Sequence, residues 1–223
     1  MIAIVSAVFL ASVLIHGTIA QSYPPPIWYF PFRVTLANGQ GNADPSRTTS
    51  FADNVFVDID LTQPFSLMSW ISVSDIGSTF WRAALSIESP DATSALFRIA
   101  LPPNQMNFNV AWMQSAQNRG GAINTTVVAP GPNVQFHLAM VKDGNAIAFY
   151  MNGARTSSIS LSSQIFNPAN FVASQKQVVL GRTRLDGNTD RSQWNGILRD
   201  VYLFDFALDD AEVEEEYQAT LLE

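Results

Sequence analysis

Asp186-Gly187-Asn188-Thr189-Asp190 places three oxygen-bearing side chains at alternate positions of one short polar segment. Ca²⁺ takes about six to eight oxygen ligands, and short carboxylate and amide side chains at this spacing can wrap it. One expectation is therefore a cation held by Asp186, Asn188 and Asp190, with Asp91 as a further ligand if the loops converge. The rest of such a loop is missing, because Arg191 stands where a glycine is needed and no Glu closes the coordination. A polar turn rich in Asp, Gly and Asn is the other reading. At the edge of the same segment, Trp194 could stack a ring, with Arg184 and Asn188 as polar contacts to a ligand. It also directly precedes Asn195-Gly196, where an aromatic can instead pack inward.

Other reactive patterns are thin. Asp58-Ile59-Asp60 puts two carboxylates on one strand face, which reads as a solvated face. Every Glu except Glu88 lies at residue 212 or beyond. Ser-His-Asp chemistry could use only His137, which strand alternation sets beside Ala139 and Val141, opposite Phe136, Leu138 and Met140; it reads as structural. The other His, His16, lies in the leading segment, and there is no Cys, so a typical closed zinc site cannot be built. The absence of Cys also removes disulfides and thiolate nucleophiles. Lys and Arg total 12 against 19 Asp and Glu, a net charge of -7, with no basic cluster to neutralise phosphates. Nucleic acid is excluded as a partner. Asn124-Thr125-Thr126 is an N-glycosylation sequon, so Asn124 is expected at the surface.

These residues must be positioned by a folded unit. Ile2 to Ile15 is apolar apart from Ser6 and Ser12 and is followed by the small-residue exit Thr18-Ile19-Ala20. Residues 1–20 read as a secretory signal peptide cut after Ala20, which places the protein outside the cell; an uncleaved anchor is the alternative. The stretch is short for a stable membrane span and no Lys or Arg follows it as a stop-transfer flank. Residues 21–31, beginning Gln21-Ser22-Tyr23-Pro24-Pro25-Pro26, are expected to be an extended proline-rich arm outside the core. Residues 32–223 are expected to form one domain.

Within that domain short β-branched and aromatic stretches alternate with polar residues between turn signals, a pattern of strands. Phe65, Leu67, Ser69, Ile71 and Val73 share one strand face, with Met68 and Trp70 on the other, so both faces need cover and two stacked sheets are implied. Val134 to Val141 and Ala146 to Met151 are joined through Asp143-Gly144, and Asn152-Gly153 makes a second tight turn. Further strands are expected at Phe80–Ser86, Ala95–Leu101, Phe108–Trp112, Gln177–Leu180 and Ile197–Phe206. Trp70, Trp81 and Trp112 are expected in the core. Only the C-terminus reads as helical, with Asp209 as N-cap, Glu212 as its capping-box partner, and Val213, Tyr217 and Leu221 on one face. Glu214-Glu215-Glu216 reads as a solvated helix face.

Phe136-His137-Leu138-Ala139-Met140-Val141, then Asp143-Gly144 and Phe149-Tyr150-Met151-Asn152-Gly153, resembles the central hairpin of laminin G-like and pentraxin-like domains. Leu180-Gly181, Asn195-Gly196-Ile197-Leu198-Arg199-Asp200-Val201 and the acidic helix to Tyr217 are similar to that family's ending. The resemblance implies an all-β concanavalin A-like jelly-roll sandwich of two antiparallel sheets with a short C-terminal helix. It also implies a secreted module that binds glycans, proteins or lipid head groups, often through calcium. The family's calcium cluster would fall just after Gly181, where Arg182-Thr183-Arg184 stands instead, so the chain departs from pentraxin-type calcium binding. Glycoside hydrolases of this fold carry an E-x-D-x-x-E pair, which the chain lacks. The expectation is a non-enzymatic recognition module for a glycan or extracellular protein, with Ca²⁺ as its only candidate cofactor. The alternative is a structural subunit of an extracellular homo-oligomer that uses residues 21–31 for subunit contacts.

Overall fold

The computed structural model describes residues 23–30, 34–36, 55–74, 78–79, 81–88, 94–115, 121–160, 176–181 and 194–221. Alternation in Phe65–Val73 (β4) sets the plan. Phe65, Leu67, Ile71 and Val73 turn into the main core, while Met68 and Trp70 turn to the opposite face and are buried there too. A strand buried on both sides needs a layer above and a layer below. The layer on the core side is a second sheet, and the layer outside is the C-terminal helix α1 (Asp210–Thr220).

The first sheet runs in the order β1 (Trp28–Phe30), β13 (Gly196–Phe204), β4, β9 (Phe136–Asp143), β10 (Ala146–Met151), β11 (Ala154–Ser160), with β2 (Val34–Leu36) also paired to β13. The second runs β3 (Val55–Val57), β12 (Lys176–Leu180), β5 (Arg82–Glu88), β6 (Ser94–Leu101), β7 (Asn107–Ser115), β8 (Gly121–Val128). Every ladder is antiparallel. Between the sheets Phe65 meets Phe97 edge-on, with ring centroids 5.5 Å apart. This is the two-sheet sandwich expected from the strand pattern and the jelly roll that the resemblance implies.

The turn chemistry explains the hairpin motif. Asn152 and Gly153 adopt φ of 52° and 78°, the pair of positive values a two-residue turn between β10 and β11 demands. Asn152 then accepts a hydrogen bond from the His137 N–H through Oδ1 at 2.9 Å and donates its own N–H to the His137 carbonyl at 2.9 Å. The Asn-Gly pair therefore clamps the start of β9 as well as reversing the chain.

Strands β8 and β11 and the three-residue β1, β2 and β3 lie outside the stretches expected to be sheet strands. The sequence of β11, ARTSSIS, is mostly exposed and carries no apolar alternation. It is a strand because β10 supplies its hydrogen bonds. The N-terminal arm also departs from expectation. Residues 28–30 pair with β13, Phe30 is in the main core, and Tyr23 is buried beneath α1 rather than outside the fold.

Helix α1 begins as read from the sequence. Asp209 accepts from the N–H groups of Ala211 and Glu212, and Glu212 returns a bond to the Asp209 N–H at 2.7 Å. Its buried face is Val213, Glu216 and Thr220, while Leu221 is exposed. Glu216 is thus not on a solvated face. It lies buried because Tyr23 of the arm donates its phenol O–H to the carboxylate. Burial first, and Glu216 second, push the Tyr23 phenol above its ordinary value. Tyr23→Phe, which deletes a donor to a buried carboxylate, is expected to cost about 1–3 kcal/mol in urea unfolding. A loss within error would mean the arm is a passive cover.

Candidate binding surface

The outer face of the second sheet carries charges inside otherwise apolar strands. Core-facing Leu85 and Ile87 in β5 oppose Ile99 and Phe97 in β6. The alternate positions, Ser86 and Arg98, therefore oppose each other on the outside. By the same register Gln177 in β12 lies opposite Glu88, and Asn109 in β7 opposite Asn124 in β8. Ser86 Oγ donates to Glu88 Oε1 at 2.8 Å, and Asn109 Nδ2 donates to Asn124 Oδ1 at 2.8 Å. One sheet face thus carries the Gln177–Glu88, Ser86–Arg98 and Asn109–Asn124 pairs at three successive levels of the ladder. Burying such groups is costly unless they are hydrogen-bonded, yet Glu88 is fully buried, Gln177 is 2% exposed and Arg98 5%.

At the rim, Trp81 is only half-buried, with the Arg98 guanidinium carbon 5.0 Å from its ring centroid. The expectation that Trp81 belongs to the core fails because it precedes β5, where the second sheet no longer encloses it. Trp70 is buried as expected, donating Nε1–H to Thr220 Oγ1 at 2.8 Å. The side chain of Trp112 lies outside the described residues.

Trp194 is 1% exposed, which overturns its reading as a ring-stacking platform. Its indole stacks on Phe108 at 6.3 Å and donates Nε1–H to the Ser72 carbonyl at 2.8 Å, while its own N–H donates to the Gly181 carbonyl at 2.7 Å. Trp194→Ala is expected to destabilise the fold by about 3–5 kcal/mol, the usual cost of emptying a buried aromatic site. A melting temperature unchanged from the wild type would contradict that placement.

Arg184, Asp186, Asn188 and Asp190, with Asp91, lie outside the described residues, as do residues 1–20. Among the described residues no group of three His, Cys, Asp or Glu is placed to hold a metal ion, and no helix is long and apolar enough to cross a membrane. Asp58 and Asp60 are exposed just beyond β3, and Asp60 accepts from the Thr62 N–H and hydroxyl at 2.9 and 2.7 Å. Those bonds hold its carboxyl below the ordinary value. Asn124 is exposed.

His137 is sealed between the rings of Trp70 and Tyr217, with centroids 5.6 and 5.7 Å away. Neither of its ring nitrogens has a hydrogen-bond partner. Burial, and then the nearby Arg199 cation, lower its pKa to about 3. It is a neutral, fully buried packing group.

An open cleft of about 580 Å³ lies between β10 and the start of α1, lined in part by Val141, Ala148, Tyr150, Arg155, Leu208 and Asp210. Its polar groups are engaged with one another. Tyr150 donates its O–H to Asp210 at 2.6 Å, and Arg155 lies 3.6 Å from the same carboxylate. Burial and the Asp210 hydrogen bond push the Tyr150 phenol up to about 12.

Of the sheet-face residues Asn124 alone was singled out by motif, as a sequon; Ser86, Glu88, Arg98, Asn109 and Gln177 were not. The signal was nevertheless present, since Arg98 interrupts SALFRIAL and Glu88 ends RAALSIE. Charges at such positions stand out only once the register is known.

The family model described as Concanavalin A-like lectin/glucanases superfamily, Laminin_G_3, matches residues 42–214. None of the curated proteins matches the sequence. Among solved structures, the sialidase module CBM40 of Ruminococcus gnavus bound to α2,3 sialyllactose is similar, with a TM-score of 0.60 and 10% identity over 86% of this chain and 99% of that one. The binding domain of Botulinum Neurotoxin DC in complex with SialylT gives 0.52 and 15% identity over 72% of this chain, which spans 36% of that one. A Trypanosoma rangeli sialidase with the inhibitor DANA gives 0.50 and 10% identity over 70% of this chain and 23% of that one. Identities this low speak to fold alone.

Proposed function

This chain belongs to the concanavalin A-like lectin/glucanases superfamily, and from that premise we propose that it is a secreted, non-catalytic module that recognises a glycan at the outer face of its six-stranded sheet. The observation that carries the reading is Trp81 at the rim of the row formed by Arg98, Ser86, Glu88 and Gln177. A sugar offers one apolar ring face and a set of hydroxyl pairs. An aromatic ring meets the first, while the guanidinium, carboxylate and amide of the row are buried and support the ring rather than touch the hydroxyls. Trp81 is the group that meets solvent, while the buried row behind it sets the polarity of the floor.

Two neighbours of the same fold are complexes with glycans, a sialyllactose and SialylT, which supports trying sialylated oligosaccharides first. The non-catalytic reading is supported by the sealed His137 and by Asp60 being committed to Thr62. The alternative of a subunit joined through residues 21–31 loses its motive, because Tyr23 and Phe30 are spent on this chain's own interior.

The full chain, secreted from a eukaryotic host, is to be applied to an array of neutral and sialylated glycans and any hit titrated by calorimetry. Trp81→Ala is expected to weaken binding about tenfold or more, roughly 1.4 kcal/mol, with little change in melting temperature. A blank array with and without Ca²⁺, or release of free sugar from a bound glycan, would set the reading aside. A cation at Asp186, Asn188, Asp190 and Asp91 is a separable addition. A melting temperature raised by CaCl₂ and restored by EDTA supports it, and no change removes these four residues from the site.

A further inference from the structure

We propose that Asn124 carries an N-linked glycan, which covers the terminal strand of the six-stranded sheet. The sequon Asn124-Thr125-Thr126 lies within β8, last in the order of its sheet. Asn124 is exposed, and its side chain accepts through Oδ1 from Asn109. Among the described residues Nδ2, the atom to which a sugar is joined, makes no hydrogen bond. Glycosylation keeps Oδ1 an acceptor, so the bond to Asn109 survives in the product. Thr125, between the two sequon positions, is buried, and Thr126 is exposed with its hydroxyl donating to Ser157 at 2.9 Å. A bulky hydrophilic group on Asn124 therefore points away from the core.

The transfer is balanced by a donor of one chemical class, an oligosaccharide carried on a lipid diphosphate. Nδ2 attacks the anomeric carbon, the new N–C bond forms, the C–O bond to the diphosphate breaks, Nδ2 loses one proton, and the lipid diphosphate leaves. The step occurs on the entering, unfolded chain, so folded contacts do not block it.

The placement gives the glycan a task. Among the described residues no strand pairs beyond β8 in its sheet, and Val128, on the same face as Asn124, is 46% exposed. A terminal strand with an exposed apolar side chain invites pairing with another copy. Val128 and Asn124 pair with Asn107 and Asn109, two residues apart on β7, so Val128 lies about 7 Å along the strand from Asn124, within the sweep of a glycan. Asn124 lies three strands from β5, beside Asn109, so the glycan stands at the end of the outer face far from Trp81 and Gln177.

The test is to secrete the full chain from a eukaryotic host and measure intact mass before and after peptide-N-glycosidase in ¹⁸O water. The expected result is loss of one glycan and ¹⁸O-labelled Asp at position 124. Asn124→Gln is expected to secrete without that mass and to self-associate more readily in light scattering. A parallel version with residues 1–20 replaced by a proven secretion leader keeps the test decisive if the native leader fails. Unmodified Asn124 in that secreted material overturns the proposal. A glycosylated wild type that scatters light no differently from Asn124→Gln overturns the protective role. Neither outcome depends on finding the ligand of the sheet face.

Discussion

Gly196→Ala is expected to abolish or severely weaken folding, with a loss of about 4 kcal/mol or more in any material that can be recovered. A Cβ on Gly196 would lie 1.9 Å from the Ser72 carbonyl oxygen, and its φ of 151° is one that L side chains rarely adopt. Neither problem can be relieved locally. The contacted atom is backbone of β4, which pairs with β13 through Gly196 itself, and the Ser72 carbonyl also accepts the Trp194 indole. Relief would require moving β4 and β13 apart at the centre of the first sheet. The same substitution at Gly144, where an added Cβ meets nothing within 4 Å, should cost only the strain of its positive φ, about 1 kcal/mol. Comparable melting temperatures for the two variants would show that the approach at Gly196 is not a constraint.

Acid is expected to destabilise the protein through His137. In the unfolded chain its imidazole gains a proton below about pH 6.5, whereas burial and Arg199 hold the folded group neutral down to about pH 3. The unfolded state therefore binds more protons between those values. Stability is full above pH 6.5 and falls as the pH drops through the window, at up to about 1.4 kcal/mol per pH unit and on the order of 5 kcal/mol in all. Asp60, with its carboxyl held below the ordinary value of 3.8, acts in the same direction at lower pH. The measurement is urea unfolding from about pH 7 to about pH 4 for the wild type and His137→Phe. The variant should lack most of the slope. Parallel curves would mean that the imidazole is protonated in the folded state.

These two sites show what was legible beforehand. Asn195-Gly196 was readable as a marked position, and the alternation of Phe136 to Val141 put His137 on the face opposite the main core. What lies over that face was not readable, because Trp70 of β4 and Tyr217 of α1, far away in sequence, close on His137, and Thr220 of α1 accepts from the Trp70 indole. Glu216 illustrates the same limit. Three consecutive Glu look solvated until Tyr23, 193 positions earlier, is found against one of them.

The sequence by itself determined the class of fold, because period-2 alternation, turn residues with positive φ and a capping box are all local and each has few structural solutions. It also settled the boundary chemistry, namely no cysteine, no basic cluster and one sequon. Only the tertiary structure decided which polar residues share a surface. Facing in a sheet depends on register, and register joins Ser86 to Arg98 and Gln177 to Glu88 through hydrogen bonds between strands that no local pattern encodes. It likewise sent Trp194 inward and left Trp81 at the rim, because burial is a property of what packs against a side chain rather than of the side chain itself.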